Sequence, residues 1–259
     1  MRVTILGSGS ATGTPAVGRG WGQCDPDNPR NRRLRPSILV EDGPTAILVD
    51  TSPDLRQQLL NADVSRLDAL LYTHYHADHV HGIDDLRPIN RAMEAPLDVY
   101  ADAETMAVVR ERFGYVFEPL AEGAETYYKP TLVPRDLEIG KTIAIGGIEI
   151  IPFEQDHGFC TSIGFRFGPI AYSTDLTVLD EVAFGVLEGV EVWIIGTLTD
   201  RPHPTHAHVD KALAWIDRIK PQRAILTHLS TGLDYGALAQ RLPPGVEPAY
   251  DGLIIESGA

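Results

Sequence analysis

One stretch of this chain reads Thr73-His74-Tyr75-His76-Ala77-Asp78-His79-Val80, and it places three imidazoles and one carboxylate within six positions. The apolar run 67–72, which has the character of a buried strand, leads directly into it. Buried imidazoles and carboxylates are costly without partners, and their neutral nitrogens and charged oxygens are ligands for Zn²⁺, Mn²⁺ or Fe²⁺. The stretch therefore predicts a divalent-metal site at the end of a strand. A His-rich surface loop is the alternative interpretation.

Three later strand-like runs end beside residues of the same chemistry, which are His157, Asp175 and His228. A single histidine after a strand is usually a structural residue. The repetition of this arrangement, in a chain that already contains the first cluster, favours a role for all three as further metal ligands.

Strand-like and helix-like runs are mixed along the whole chain, which predicts one layered α/β domain over residues 1–259. The predicted strands are 3–6, 37–40, 46–49, 69–72, 97–100, 143–145, 148–153, 162–167, 170–172, 192–195 and 224–226. The predicted helices are 53–61, 83–93, 103–113, 180–187, 209–219 and 235–240. Two regions, 13–36 and 117–136, are rich in glycine or proline and are predicted to be irregular.

Bulk composition is that of an ordinary globular protein, with 43% hydrophobic and 22% charged residues in 259. No apolar run approaches the roughly 20 residues that span a bilayer, and the first residues resemble a strand rather than a secretory signal. Two cysteines provide no disulfide framework. We therefore expect a cytoplasmic protein without membrane association.

The formal net charge of −14 argues against broad binding to long nucleic acids, which depends on basic surface. It leaves a small phosphorylated substrate open, because a bound metal supplies local positive charge whatever the global balance.

The order of these motifs resembles the metallo-β-lactamase superfamily of binuclear metallohydrolases, and the resemblance extends from the first strand to His228. It implies a four-layer αββα sandwich and two divalent ions, with Zn²⁺ or Mn²⁺ as the first expectation. Asp50 would be a structural carboxylate beneath the site, outside the ligand set. The implied ligands are His74, His76 and His157 for one ion, Asp78, His79 and His228 for the other, and Asp175 as the bridge between them.

The residue at position 175 also bears on the substrate. Many zinc β-lactamases of the superfamily have a cysteine where this chain has Asp175, so antibiotic hydrolysis is not expected. A bridging carboxylate favours two ions held close together, a pair that suits phosphoryl displacement. Thioester and lactone hydrolases of the same fold also use the bridging aspartate and stay open as alternatives.

The segment 202–213 resembles the His-containing segment of the superfamily's phosphodiesterases, which include tRNA 3′-processing endonucleases. His206 matches best, and the resemblance implies that it binds the phosphate or protonates the leaving oxygen. An imidazole titrates near neutrality and suits that task. The alternative is that His206 only caps the following helix. His203 and His208 are expected to be peripheral.

The opening Gly7–Pro15 segment and the run 29–37 look most like the PhnP-like branch, whose namesake activity is phosphoribosyl 1,2-cyclic phosphate phosphodiesterase. That branch can bind an additional structural zinc through clustered cysteines in the early loop. Only Cys24 is present here, so we expect that zinc site to be missing. The arginines of the loop are expected to have structural roles, with phosphate binding as the alternative; they are Arg30, Arg32, Arg33 and Arg35.

The sequence thus predicts a binuclear phosphodiesterase in which a metal-bridging hydroxide attacks a small cyclic ribose phosphate or nucleotide-like diester. Asp78 and His206 are the predicted catalytic residues, and His206 also contacts the substrate. A tRNA 3′-processing-type endonuclease is a further alternative, disfavoured by the acidic charge and by the lack of an evident basic arm. A homodimer is plausible by resemblance, and four aromatic residues would either form its interface or cover the chain's own core: Tyr115, Phe117, Tyr127 and Tyr128.

Overall fold

Two mixed sheets of seven strands pack face to face, and helices cover both outer faces. The structure is a computed structural model that describes residues 1–257. The last two positions of the predicted domain lie outside the described residues. The αββα sandwich expected from the sequence is confirmed.

The first sheet has the strand order β14-β1-β2-β3-β4-β5-β6. Its neighbours from β3 to β6 pair in parallel, and those from β14 to β3 pair antiparallel. The strands are β1 (Arg2–Gly7), β2 (Ser37–Asp42), β3 (Thr45–Val49), β4 (Ala69–Leu71), β5 (Leu97–Ala101), β6 (Leu132–Asp136) and β14 (Ile254–Glu256).

The second sheet has the order β13-β12-β11-β10-β9-β8-β7. Strands β10 to β13 pair in parallel, whereas β7 to β10 pair antiparallel. Its strands are β7 (Ile143–Ile145), β8 (Ile148–Asp156), β9 (Thr161–Phe167), β10 (Ile170–Ser173), β11 (Val192–Gly196), β12 (Arg223–Thr227) and β13 (Val246–Pro248).

Seven α-helices and three short 3-10 turns connect the strands of the described chain. The 3-10 turns are Pro29–Asn31, Ile83–Leu86 and Gly114–Phe117. The helices are α1 (Leu55–Asn61), α2 (Ala77–Val80), α3 (Arg87–Met93), α4 (Ala103–Phe113), α5 (Glu181–Leu187), α6 (Val209–Ile219) and α7 (Tyr235–Arg241). Within residues 1–257, none is long and apolar enough to cross a membrane.

Three apolar clusters correspond to the three interfaces between the four layers. The central cluster joins the inner faces of both sheets, for example Ile38 and Val49 against Phe165 and Ile194. The other two lie between each sheet and its own helices. β3, β4 and β11 are buried at every position, and burial on both faces explains why their sequences are almost entirely apolar rather than alternating.

Two local predictions were wrong. Residues 132–136, assigned to an irregular region, form β6 at the edge of the first sheet. Pro134 argued against a strand in the sequence, but an edge strand forms hydrogen bonds on one side only and therefore tolerates proline. The predicted helix 83–93 divides into a 3-10 turn and α3, with Pro88 in the first turn of α3, where a missing N–H costs little.

Candidate metal centre

The chain turns sharply at three of the predicted site residues. Asp50, Asp175 and His228 have φ angles of 65°, 47° and 58°. They follow the ends of β3, β10 and β12 closely. Left-handed φ is unfavourable for residues other than glycine and persists only where the surrounding structure enforces it. The three strained turns therefore lie where the ends of β3, β10 and β12 approach one another.

The seven predicted ligands form two groups that share Asp175. Within each group, one ligand atom per residue lies within 4.8 Å of every other. We call the groups the histidine-rich group and the carboxylate-rich group. The histidine-rich group contains His74, His76, His157 and Asp175, and the carboxylate-rich group contains Asp78, His79, Asp175 and His228.

The spacing of donor atoms around Asp175 fits divalent ions better than direct hydrogen bonds. Its Oδ2 lies 3.5 Å from His74 Nε2, 3.4 Å from His79 Nε2 and 3.5 Å from His157 Nε2. These separations are long for hydrogen bonds. In a tetrahedral metal site, each ligand atom lies about 2.0–2.1 Å from the ion, and neighbouring ligand atoms are therefore about 3.3 Å apart. The observed separations are close to this value.

Several of the predicted ligand atoms are buried and have no hydrogen-bonding partner among residues 1–257. A buried polar atom without a partner costs about 1–3 kcal/mol, so several together at one point indicate a missing partner. A divalent cation would satisfy all of them. These atoms are His74 Nε2, Asp78 Oδ2 and His79 Nε2.

Asp50 determines which nitrogen two of the histidines present to the centre. His79 Nδ1 donates to Asp50 Oδ2 at 2.7 Å. The Thr73 hydroxyl donates to the same Oδ2 at 2.8 Å, and so its oxygen accepts from His74 Nδ1 at 3.0 Å. With both Nδ1 hydrogens bound on the outer side, His74 and His79 present bare Nε2 atoms, the form that binds a metal.

A carbonyl oxygen has the same effect on His157. Its Nδ1 donates to the backbone oxygen of Thr205 at 2.7 Å. A carbonyl can only accept, so the hydrogen of the neutral ring is on Nδ1 and Nε2 is free. On the other side of the group, His76 Nδ1 lies 3.3 Å from His157 Nε2 and His76 Nε2 lies 3.8 Å from Cys160 Sγ.

Burial favours the neutral form of the three histidines in the histidine-rich group. It lowers the pKa of His157 to about 4, lowers that of His76, and lowers that of His74 well below its ordinary value. In each case the attraction of Asp175 offsets only part of this effect. Neutral imidazole is the form required of a metal ligand.

The carboxylate-rich group has the opposite electrostatics. Burial alone would raise the pKa of Asp175, but His228 and His79 hold it well below its ordinary value. Burial likewise opposes a charge on His228, yet Asp175 and Asp78 raise its pKa to about 9. This half of the centre therefore stabilises positive charge, which a divalent cation supplies.

His206 faces the centre but belongs to neither group. Its Nε2 lies 3.4 Å from Asp175 Oδ2, and its ring centroid lies 4.8 Å from that of His157 and 5.1 Å from that of His228. Its side chain is 16% exposed, against 3% or less for those three neighbours. The residue that precedes α6 is His208, which makes no side-chain cap, so helix capping does not explain His206.

All four arginines in the early loop have partners within the fold. Arg33 is buried and donates to the Leu233 and Ser230 carbonyls. Arg35 forms an ion pair with Asp54, and the Arg30 guanidinium lies over the rings of Tyr235 and Tyr250. Arg32 lies over the ring of Trp21. These contacts are structural and link the loop to the rest of the fold.

The aromatic pair at 127–128 contacts its own surroundings. The Tyr127 carbonyl accepts from Arg91 Nε at 2.7 Å. The Tyr128 hydroxyl accepts from the backbone N–H of Ala121 at 3.0 Å, which closes the loop on itself.

Sequence reasoning missed the residues that orient the ligands. Thr73 and Thr205 each precede a predicted site histidine, and both contact its Nδ1. A hydroxyl residue next to a histidine in a metal motif is a weak signal that could have indicated them. Cys160 beside His76 is brought there by the β8–β9 turn, which no local pattern predicts.

Comparison with known proteins agrees with this geometry. A family model described as the Beta-lactamase superfamily domain matches residues 45–229. A solved structure of a new diphosphatase from the PhnP family superposes with a TM-score of 0.90 at 32% identity, covering 99% of this chain and 98% of that one. The chain belongs to the metallo-β-lactamase superfamily. Within that superfamily it is a PhnP-like member.

Two further proteins share the fold or much of the sequence. Zn²⁺-bound PqqB from Methylobacterium extorquens superposes with a TM-score of 0.77 at 20% identity, covering 99% of this chain and 100% of that one. An octanoyltransferase of Porphyromonas gingivalis is 34% identical over 98% of this chain and 51% of its own length. The chain spans about half or less of the length of the curated relatives it matches.

Proposed function

We propose that this protein is a binuclear metal-dependent phosphodiesterase that acts on a small phosphorylated substrate, with a cyclic ribose phosphate as the first choice. The observation that carries the proposal is His206, a partly exposed imidazole that faces Asp175 without belonging to either ligand group. A diphosphatase of the PhnP family, 32% identical to this chain, supports chemistry at a phosphorus–oxygen bond.

The two ligand groups would each hold one ion, with Zn²⁺ or Mn²⁺ as the first candidates because imidazole and carboxylate ligands suit both. Two such ions would supply positive charge for the phosphate oxygens and lower the pKa of bound water. Asp175 would belong to both shells, and Asp50 would act beneath the site through His79 and Thr73.

The remaining chemistry is assigned to side chains of this protein. Asp78 and Asp175 offer carboxylate oxygens that accept hydrogen bonds from the attacking water and orient it. His206 Nε2 lies on the more exposed side, where it reaches the phosphate and gives a proton to the departing sugar oxygen. Cleavage of one ester bond of a cyclic diester would leave a sugar phosphate monoester.

A diphosphate substrate is the second candidate, because the PhnP-family structure is named for that activity. The same site would serve it, since a phosphate leaving group has the same need for charge neutralisation. An acyl thioester is a competitor from a different class, to which the octanoyltransferase relative draws attention.

The test is a turnover assay of metal-reconstituted protein on a matched panel. The panel contains ribose 1,2-cyclic phosphate, 2′,3′-cyclic AMP, bis(p-nitrophenyl) phosphate, a nucleoside diphosphate and an octanoyl thioester. We expect the cyclic phosphodiesters to be hydrolysed fastest, and expect the His206→Ala variant to lose that activity. Thioester hydrolysis without phosphodiester turnover would overturn the proposal and leave the fold and the metal site in place.

A further inference from the structure

The turn between β8 and β9 carries an exposed phenylalanine two residues after His157. The side chain of Phe159 is 92% exposed. The other exposed aromatic side chains within residues 1–257, Tyr115 and Tyr128, are 38% and 46% exposed, and each forms a hydrogen bond through its hydroxyl. Exposure of a whole phenyl ring to water is unfavourable, and this ring has no polar group to offset it. Phe159 therefore offers a complete apolar ring face to a binding partner.

Hydrogen bonds of the backbone hold this turn in place. The His157 N–H donates to the Cys160 carbonyl at 3.0 Å, and the Phe159 N–H donates to the His157 carbonyl at 3.2 Å. At the base of the turn, Asp156 and Val178 exchange backbone hydrogen bonds of 3.2 and 3.3 Å. The exposed ring is thus attached to an ordered backbone, so little ordering would be needed when a partner binds to it.

The tip of the turn contacts the segment 203–206, which carries the imidazole that faces the centre. Gly158 has φ 85°, and a Cβ at this position would lie 2.9 Å from the Pro204 carbonyl oxygen and 2.9 Å from Thr205 Cγ2. Only glycine allows so close an approach. Phe159, the next residue, therefore lies where the turn meets this segment, at the edge of the metal centre.

A second exposed ring lies on the other side of this contact. The His203 side chain is exposed, and its ring centroid is 5.1 Å from that of His206, which faces Asp175. Planar surface thus borders the centre on both sides of the contact. The chain as a whole has a net charge of −14 and so provides no general attraction for an anionic substrate. Contacts other than charge are therefore needed to bind the part of the substrate that lies outside the metal centre.

We propose that Phe159 stacks against a nucleobase, so that the substrate is a nucleotide-type cyclic phosphate, a cyclic ribose phosphate that carries a base. The inference rests on the proposed function and names its substrate class. Two residues of backbone separate Phe159 from His157 by at most about 7 Å, a distance that one ribose unit can span between phosphate and base. Every base has a π-face, so stacking on Phe159 is tolerant of base identity.

The test compares two substrates with the same reacting group. One is 2′,3′-cyclic AMP, and the other is methyl riboside 2,3-cyclic phosphate, which has a methoxy group in place of the base. Phe159→Ala should raise KM for cyclic AMP about 5- to 100-fold, the range for loss of one base–aromatic stack, and leave kcat nearly constant. Kinetics on the methyl riboside should be unchanged, and Phe159→Trp should restore KM for cyclic AMP.

Leu60→Ala is the matched control. Leu60 is 60% exposed and lies in α1, in the helical layer of the first sheet. It removes an exposed apolar side chain away from the turn, and we expect no change in KM for either substrate. A rise in KM for cyclic AMP in the control as large as that in Phe159→Ala would contradict a specific contact at Phe159.

A second measurement does not depend on turnover. Titration calorimetry of zinc-loaded protein gives Kd for 3′-AMP and for inorganic phosphate. We expect the natural protein to bind 3′-AMP more tightly than phosphate, and expect Phe159→Ala to lose affinity for 3′-AMP alone. Equal loss on substrates with and without a base, no effect on either, or unchanged affinity for 3′-AMP would overturn the inference. A natural protein that hydrolyses neither cyclic phosphate would overturn the proposed function, and the titration would then still decide whether a base binds at Phe159.

Discussion

Two segments of this chain each hold three histidines within six positions, at 74–79 and at 203–208, and the structure uses them differently. In the first, all three imidazoles belong to the ligand groups, and two are fully buried. In the second, only His206 faces the centre; His203 is exposed and His208 precedes α6.

The difference lies in what precedes each segment. The first follows β4, an interior strand of its sheet, and Asp50 beneath it holds two of the rings through Thr73 and His79. The second lies in a loop between β11 and α6, near the protein surface. Histidine density is therefore a weaker guide to a metal site than the strand end and the carboxylate below it.

The largest expected effect comes from removing the residue shared by both ligand groups. Asp175→Ala should lose both ions and lower kcat/KM by roughly 10⁴-fold or more, since no ligand then links the two halves. Metal content, measured by inductively coupled plasma mass spectrometry alongside turnover, tests this prediction. Retention of two tightly bound ions would contradict the assignment of Asp175.

His206 should behave differently from any ligand of the first segment. His206→Ala is expected to lower kcat for the sugar ester by about 10²–10⁴-fold, the usual range for a general acid, with both ions retained. His76→Ala is the comparison variant and should lose metal together with activity. If His206→Ala also loses metal, His206 is a ligand and the contrast between the segments fails.

A substitution at Asp50 tests whether the hydrogen bonds beneath the first segment contribute to metal affinity. Asp50→Asn keeps the shape but replaces the oxygen that accepts from His79 Nδ1, so metal affinity should fall about 10- to 100-fold, as for other residues that orient ligands. Titration with a chromophoric zinc chelator measures this. Unchanged affinity would show that the strand end alone positions the ligands.

The smallest expected effect is at the outer end of the second segment. His208→Asn should change kcat/KM less than about 2-fold and leave metal content unchanged, because His208 makes no side-chain cap and asparagine is itself favoured before a helix. Steady-state kinetics on both ester types would detect a larger effect, which would extend the catalytic role beyond His206.

Much of this arrangement was predictable from local sequence. Apolar runs followed by histidine or aspartate gave the layered fold and the residues that converge, because strand periodicity and ligand chemistry are both local signals. The confirmed sandwich places Asp175 and His228, 53 positions apart, with Oδ1 and Nε2 only 2.9 Å from each other.

What could not be predicted depends on contacts between distant segments. The bond from His157 to Thr205 joins residues 48 positions apart, and no pattern near either residue encodes it. The edge strand β6 was not predicted because Pro134 and its charged neighbours lack a strand pattern, and the strand forms through its pairing with β5. The early arginines found partners such as Tyr235 and Leu233 that lie about 200 positions away.

Anomalous diffraction from crystals grown with zinc is the most direct test of the central claim, that two ions lie on either side of Asp175 while His206 stays outside their ligand shells. The account predicts two strong peaks, one beside His74, His76 and His157 and the other beside Asp78, His79 and His228. A single peak, or an ion bound to His206 Nε2, would contradict it.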